Sequence, residues 1–253
     1  MRRSGWLASP LLWVGLLFAA LLLRMDLLRP FFRWAFPGTT PVIYDRASFL
    51  DLFFAHLGLV ATASLAAALV GIALAVFVTR PAGREFRTIV EALAAIGQTF
   101  PPVAVLAIAV PLIGFGARPT VIALFIYGLL PIIGNGVAGL EGVPQDVREA
   151  ADGMGLSPRQ RLIAVELPLA APVILAGIRV SVTIAIGTAT IGSTVGALTL
   201  GTPIFDGLVA NKLPFVIEGA VLVALFAILT DMLFGRLDRR LRRASLHDTV
   251  RAR

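Results

Sequence analysis

The chain has 253 residues, 58% of them hydrophobic and only 15% charged, with a formal charge of +7 and no cysteine. Its mean hydropathy of +0.90 lies far outside the range of soluble domains and marks a protein of the lipid bilayer. Without cysteine there is neither a disulfide framework nor a thiolate metal site, and the histidines His56 and His247 are too far apart in sequence for metal-ligand spacing. The positive charge does not point to nucleic acid. The basic residues are scattered between apolar runs and collect in RLDRRLRR near the C-terminus, as anchors facing anionic lipid do.

A helix needs about 20 apolar residues to cross a hydrocarbon core of about 30 Å. Six runs qualify: 6–23, 52–78, 88–113, 119–140, 172–198 and 215–234. Barrel-type alternation is absent, so the expected fold is an all-α polytopic membrane protein of six transmembrane helices. The first run opens with MRRSGW and ends in LLLRMD, with no small-x-small cleavage site. It is expected to be an uncleaved span rather than a signal peptide. Residues 24–51 follow as the longest external loop, where PFFRWAFPG suits an interfacial aromatic belt. His56, near the outer start of the second run, is expected to be an interfacial polar residue and not a ligand.

The third run is interrupted by Gln98-Thr99-Phe100-Pro101-Pro102. Proline inside a helix removes a hydrogen bond and clashes with the preceding turn, so the helix must kink or break. Broken helix at membrane depth is tolerated where protein buries it or where it lines a wet cavity. Gln98, Thr99 and Pro101 are therefore candidates for a translocation pathway. The other reading is a kink that packs against a neighbour.

After the fourth run comes EAADGMGLSPRQRLIAVELP, residues 149–168, which is polar and charged between two apolar segments. Pro144 fits the first turn of a short helix, and Gly155 supplies the positive φ of a helix C-terminus. Ser157 and Gln160 form a capping box for a second helix. Leu162, Ile163, Val165 and Leu167 give that helix an apolar side, and Pro168 and Pro172 hand the chain to the fifth run. The product is helix, glycine turn, helix: either a rigid knob that docks in a groove of a soluble partner or an ordinary interfacial loop.

The fifth run carries Thr183, Thr188, Thr190, Ser193 and Thr194, with Gly192 and Gly196 four residues apart. The glycines suit close helix packing, and the hydroxyls can bond across helices or to their own backbone. Thr188, Thr190 and Ser193 join the pathway candidates. Glu91, Arg179, Asp231 and Glu218 lie near span ends, where snorkelling or interfacial pairing accounts for them. A proton-coupled carrier is expected to carry a titratable group nearer the midplane. No aromatic cage for a quaternary ammonium can be assembled: Trp6, Trp13, Trp34 and Tyr44 lie in the N-terminal portion, and Tyr127 stands alone in the fourth run.

With the N-terminus inside, Arg2, Arg3, Arg80, Arg84, Arg87, Arg148, Arg159, Arg161 and the 236–253 tail face the cytoplasm. Arg24, Arg29, Arg33, Arg46, Arg118 and Lys212 face outward. The excess of basic residues inside sets both termini and the hairpin in the cytoplasm. The expected organisation is an N-terminal span and external loop (1–51), a transmembrane domain (52–235) with a helical-hairpin loop (141–170), and a basic tail (236–253).

Glu149-Ala150-Ala151, Gly155 and Val165-Glu166-Leu167-Pro168, at their spacing, resemble the EAA loop of binding-protein-dependent ABC importer permeases. Similarity over about residues 62–207, in IGQTFPPVAVLAIAVPLIGFG, IALFIYGLLPIIGNGVAGL and AGIRVSVTIAIGTATIGSTVGA, narrows this to the osmoprotectant type, which imports glycine betaine, carnitine and choline. The sequence departs from that pattern after span five. Where relatives commonly have GAGGLG, this chain has the bulkier Gly196-Ala197-Leu198-Thr199-Leu200-Gly201.

The resemblance implies a multi-pass permease of the bacterial inner membrane whose hairpin seats in a cleft of a cytoplasmic ATPase. Glu149, Ala150, Ala151, Gly155, Leu167 and Pro168 would form the coupling element. The implied partners are that ATPase, a periplasmic or lipid-anchored substrate-binding protein, a second identical or similar permease chain, and membrane lipid. No G-x-x-x-x-G-K-[ST] phosphate loop occurs in the chain, so ATP is expected on the partner and no cofactor or metal on this subunit. The alternative is a secondary transporter or channel that works without an ATPase.

Overall fold

The computed structural model describes residues 10–251, with side chains for 10–240. Arg2, Arg3, Trp6, the side chain of His247 and the end of the basic tail lie outside that description. Every regular element among the described residues is helical. The α-helices are α1 (Pro10–Arg24), α2 (Arg29–Ala35), α3 (Phe49–Val78), α4 (Arg87–Thr99), α5 (Pro102–Ile113), α6 (Ala117–Glu141), α7 (Gln145–Gly153), α8 (Pro158–Arg161), α9 (Leu167–Ala189), α10 (Thr202–Val209) and α11 (Leu213–Arg251). Among the described residues five helical stretches are long and apolar enough to cross a membrane, or six if α4 and α5 are the halves of one broken span.

Three boundaries differ from the sequence expectation. A 3₁₀ turn at Met25–Leu28 joins α1 to α2, so the long loop expected from residue 24 shrinks to 36–48. Pro30 fits the first turn of α2, and Arg24 pairs with Asp26 at 3.2 Å. Pro144 stands at the N-cap, one residue before the first turn where it was expected. The second arm of the hairpin is not a separate helix but the head of span five: α8 passes through a π turn, Leu162–Glu166, straight into α9. The ring of Pro168 would clash with the carbonyl of Ala164, four residues earlier. That carbonyl lies in the widened π turn, where the constraint is relaxed.

Span three breaks where proline demands it. The last helical residue of α4 is Thr99, Phe100 is extended (φ −68°, ψ 133°), and α5 starts at Pro102.

The chain divides into two compact units. One comprises the segment ending at Ala63, Pro101–Leu124 and Thr183–Leu233; the other comprises Ser64–Phe100, Phe125–Val182 and the chain from Phe234.

The first unit is organised around aromatic rings and His56. Phe53 meets Phe18 and Phe226 edge-on at 5.3 and 5.2 Å between centroids. His56 is fully buried (0% exposed) against Phe226, which corrects the expectation of an interfacial residue. Its Nδ1 accepts from the Leu200 amide at 3.2 Å, so Nε2 carries the proton and donates to the Ile186 carbonyl at 3.1 Å. A buried imidazole thus ties α3 to α9 and to the turn before α10. Glu218 on α11, 1% exposed, accepts from the Tyr44 amide at 3.0 Å. The Tyr44 hydroxyl donates to Asp206 at 3.0 Å, and Lys212 Nζ donates to the Thr40 carbonyl at 2.8 Å. Residues 40–46 are thereby clamped to α10 and α11.

The second unit packs by close backbone approach. A Cβ on Gly128 would stand 2.5 Å from Ser181 Oγ, and one on Gly177 would stand 2.6 Å from the Pro131 carbonyl, so α6 and α9 meet through glycine on both helices. One apolar cluster joins Ala75, Val78, Ala94, Ile133 and Val137. Another joins Leu140, Ala170 and Ile174, with Leu162 and Leu167 packed against it.

Candidate functional site

The hairpin of α7 and α8 is built by the stop and start signals of its sequence. At the end of α7 the Gly155 amide bonds the Asp152 carbonyl at 2.9 Å and the Leu156 amide bonds the Ala151 carbonyl at 3.2 Å. These paired bonds form a Schellman closure, which needs a left-handed residue; Gly155 has φ 79°. Two residues on, the Gln160 amide donates to Ser157 Oγ at 3.4 Å and the Ser157 amide donates to Gln160 Oε1 at 2.8 Å. The turn is therefore fixed on both sides.

Of the expected coupling residues, Ala151 is buried and Leu167 packs into the cluster with Leu140 and Ala170. Glu149, Ala150, Gly155 and Pro168 are exposed. Glu149 accepts from Gln145 Nε2, one turn earlier, at 3.0 Å. At the tip Met154 is 72% exposed, and on the second arm Ile163 is 56% exposed. Ile163 therefore lies outside the apolar side that it was expected to complete, and with Met154 it gives the hairpin an apolar rim.

The residue that sequence reasoning left out of the site is Glu166. Its side chain is 2% exposed and is the focus of three guanidinium groups. Arg80, just beyond α3, pairs with it; Arg161 Nε stands 3.1 Å away and Arg148 Nε 4.0 Å. The arginines have further partners. Arg161 Nη1 donates to Asp152 Oδ1 at 2.7 Å, joining the two arms. Arg148 Nη2 donates to the Leu140 carbonyl at 2.6 Å, joining α7 to the end of α6. The signal was visible as a lone carboxylate between Val165 and Leu167, but nothing in the sequence connects it to an arginine 86 positions away.

The pathway candidates fall into two groups that belong to different units. Gln98 and Thr99 close α4. Thr99 Oγ1 donates to the Ile96 carbonyl at 2.8 Å, and Gln98 Nε2 donates to the Tyr127 carbonyl at 2.8 Å. Tyr127 lies four residues before Pro131, which has no N–H to give it; the Gln98 amide supplies the missing donor.

Pro101 and the span-five hydroxyls lie in the other unit. Thr188 is half-buried. Thr190 donates to the Gly187 carbonyl and Ser193 to the Thr190 carbonyl, both at 2.7 Å, and Ser193 also meets Thr199 Oγ1 at 3.0 Å. Gly192 packs closely, since a Cβ there would stand 2.6 Å from Thr120. Gly196 instead ends the 3₁₀ turn Thr190–Val195 with φ 80°. The pair expected to pack a helix interface therefore divides its work between packing and turning. In the same unit a cavity of about 550 Å³ is lined by Thr62, Val121, Gly196, Ala197 and Leu198, the stretch where relatives were noted to carry glycines. Among the described residues no group of three or more His, Asp or Glu is placed to hold a metal ion.

The fold and hairpin can be set beside known proteins. The chain is 44% identical over 199 residues to the osmoprotectant import permease protein OsmY of Salmonella typhimurium, covering 78% of this chain and 84% of that protein. It is 43% identical over 149 residues to the choline transport system permease protein OpuBB of Bacillus subtilis (59% and 69% covered). With the carnitine transport permease protein OpuCB of Listeria monocytogenes it shares 38% over 182 residues (70% and 83%). Among solved structures, the inward-facing MetNI methionine ABC transporter matches with a TM-score of 0.67 at 21% identity, over 76% of this chain and 95% of that one. That match concerns the fold. The family model described as "Binding-protein-dependent transport system inner membrane component" matches residues 67–243. This multi-pass membrane protein belongs to the family of binding-protein-dependent transport system inner membrane components.

Proposed function

We propose that the chain is the transmembrane subunit of an ATP-driven importer for quaternary-amine osmoprotectants such as glycine betaine, choline or carnitine. The observation that carries this reading is the hairpin: a short turn locked at both ends, seated on a buried carboxylate, with an exposed tip carrying Met154. Family membership supports it, and the substrate class follows from the relatives named for osmoprotectants, choline and carnitine. In this reading residues 52–235 form the transmembrane domain, with the 1–51 segment before it and the 236–253 tail after it. Both termini and the 141–170 loop face the cytoplasm.

A separate ATPase binds ATP and grips Glu149, Ala150 and the tip, while Ala151, buried beneath them, supports the first arm. A second permease chain completes the assembly in the lipid, and an external binding protein delivers substrate. Gly155 permits the turn, and Leu167 and Pro168 anchor the exit into span five. ATP-driven closure of the ATPase pair brings the two hairpins together, and spans three to five tilt as rigid bodies to alternate access. Gln98 and Thr99 in one unit, and Pro101, Thr188, Thr190 and Ser193 in the other, are the proposed pathway residues of their respective units.

The test is reconstitution in liposomes with and without a candidate ABC ATPase and a candidate substrate-binding protein from the same organism. Uptake of radiolabelled glycine betaine or choline is expected only when all components and ATP are present. Uptake by the chain alone down an ion gradient would establish a secondary transporter instead.

A further inference from the structure

We infer that Glu166 and Arg80 are positioning residues of the coupling step, and that they carry motion of the hairpin into α3 as well as into α9. This rests on the reading of the hairpin as the element the ATPase grips. Glu166 stands in the π turn at the head of α9, buried to 1% exposure. The three guanidiniums around it come from different elements: Arg80 follows α3, Arg148 belongs to α7 and Arg161 to α8. Arg148 is also bonded to the last turn of α6 through Leu140, and Arg161 to Asp152. The carboxylate is thus the common partner of both hairpin arms and of the segment leaving α3.

A carboxylate buried to 2% exposure keeps its charge at low cost only while it stays among its guanidinium partners, since losing them would leave it buried and unpaired. The hairpin, the end of α3 and the head of α9 must then shift together. The widened turn adds a reason for the glutamate to sit where it does. A π turn projects its residues off the regular helix face, which places the carboxylate between the arms, while Leu162 and Leu167 on either side stay packed against the Leu140 cluster.

The experiment uses the complete importer in liposomes and measures substrate imported per ATP hydrolysed for wild type, Glu166→Gln, Arg80→Gln, Arg80→Lys and the double Gln variant. Glu166→Gln and Arg80→Gln are each expected to lower that ratio at least about fivefold, the low end of ordinary coupling between sites. The double variant is expected to be no worse than the poorer single, and Arg80→Lys to recover part of the loss. A purely structural role would reduce protein, hydrolysis and uptake together and leave the ratio unchanged. Should Glu166→Gln fail to accumulate, the two Arg80 variants decide the matter by the same ratio. Wild-type uptake that requires the ATPase, together with unchanged ratios in the variants, would overturn this inference and leave the hairpin reading standing. Wild-type uptake that needs no ATPase would overturn both.

Discussion

Gly155 and His56 show how much one residue can decide in this chain. At φ 79° Gly155 occupies the left-handed region, which costs a side-chain-bearing residue about 1–2 kcal/mol and a β-branched one more. Gly155→Val is therefore expected to insert normally but to distort the turn, so that uptake falls while ATP hydrolysis continues; unchanged uptake at equal expression would argue against the coupling role. His56 holds the Ile186 carbonyl and the Leu200 amide in an apolar interior. His56→Leu leaves the Leu200 amide without its partner, at about 1–3 kcal/mol, and thermal unfolding in detergent is expected to shift down by several degrees; an unchanged midpoint would contradict the assignment.

Tyr44 gives a pH signature. Burial, and next its hydrogen bond to Asp206, push the phenol up to about 12. Raised above its ordinary value, it adds stability that is complete below about pH 10 and is lost as the pH rises through 12. Alkaline unfolding followed by circular dichroism is expected to begin at higher pH in Tyr44→Phe than in wild type.

Among the elements, α6 and the end of α4 form the most testable pair. Pro131 deprives the Tyr127 carbonyl of its helical donor, and Gln98 replaces it at 2.8 Å. Gln98→Leu is expected to destabilise the protein by about 1–3 kcal/mol. Pro131→Ala restores an N–H to α6, so in that background Gln98→Leu is expected to cost much less. Equal costs in both backgrounds, measured as a double-mutant cycle, would show that the two residues are not linked.

These elements also show what the sequence could and could not reveal. The turn at Gly155, the Ser157–Gln160 box and the break before Pro101 were legible, because each is dictated by local backbone chemistry. The run from α8 into α9 was not: Pro168 and Pro172 were expected to hand the chain from a separate second helix to span five, whereas the helix passes without a break through the π turn at 162–166. The use of Gln98 as a surrogate donor was hidden for a related reason, since the vacancy it fills lies 29 residues away.

For the whole molecule, the apolar runs announced a polytopic helical protein, and the structure and its relatives agree. The ion-pair hub at Glu166 escaped notice because arginines at 80, 148 and 161 each read as separate interfacial anchors, and only the folded chain brings them onto one carboxylate. The account turns on where the hairpin stands and what holds it. Because the chain contains no cysteine, Met154→Cys would place a single thiol at the exposed tip. In membrane vesicles holding the assembled importer, a short thiol-directed photocrosslinker at that position is expected to join the chain to the ATPase subunit, with a yield that changes on adding ATP. Labelling of the same thiol by a membrane-impermeant reagent from outside intact cells, with no adduct to an ATPase, would contradict the account.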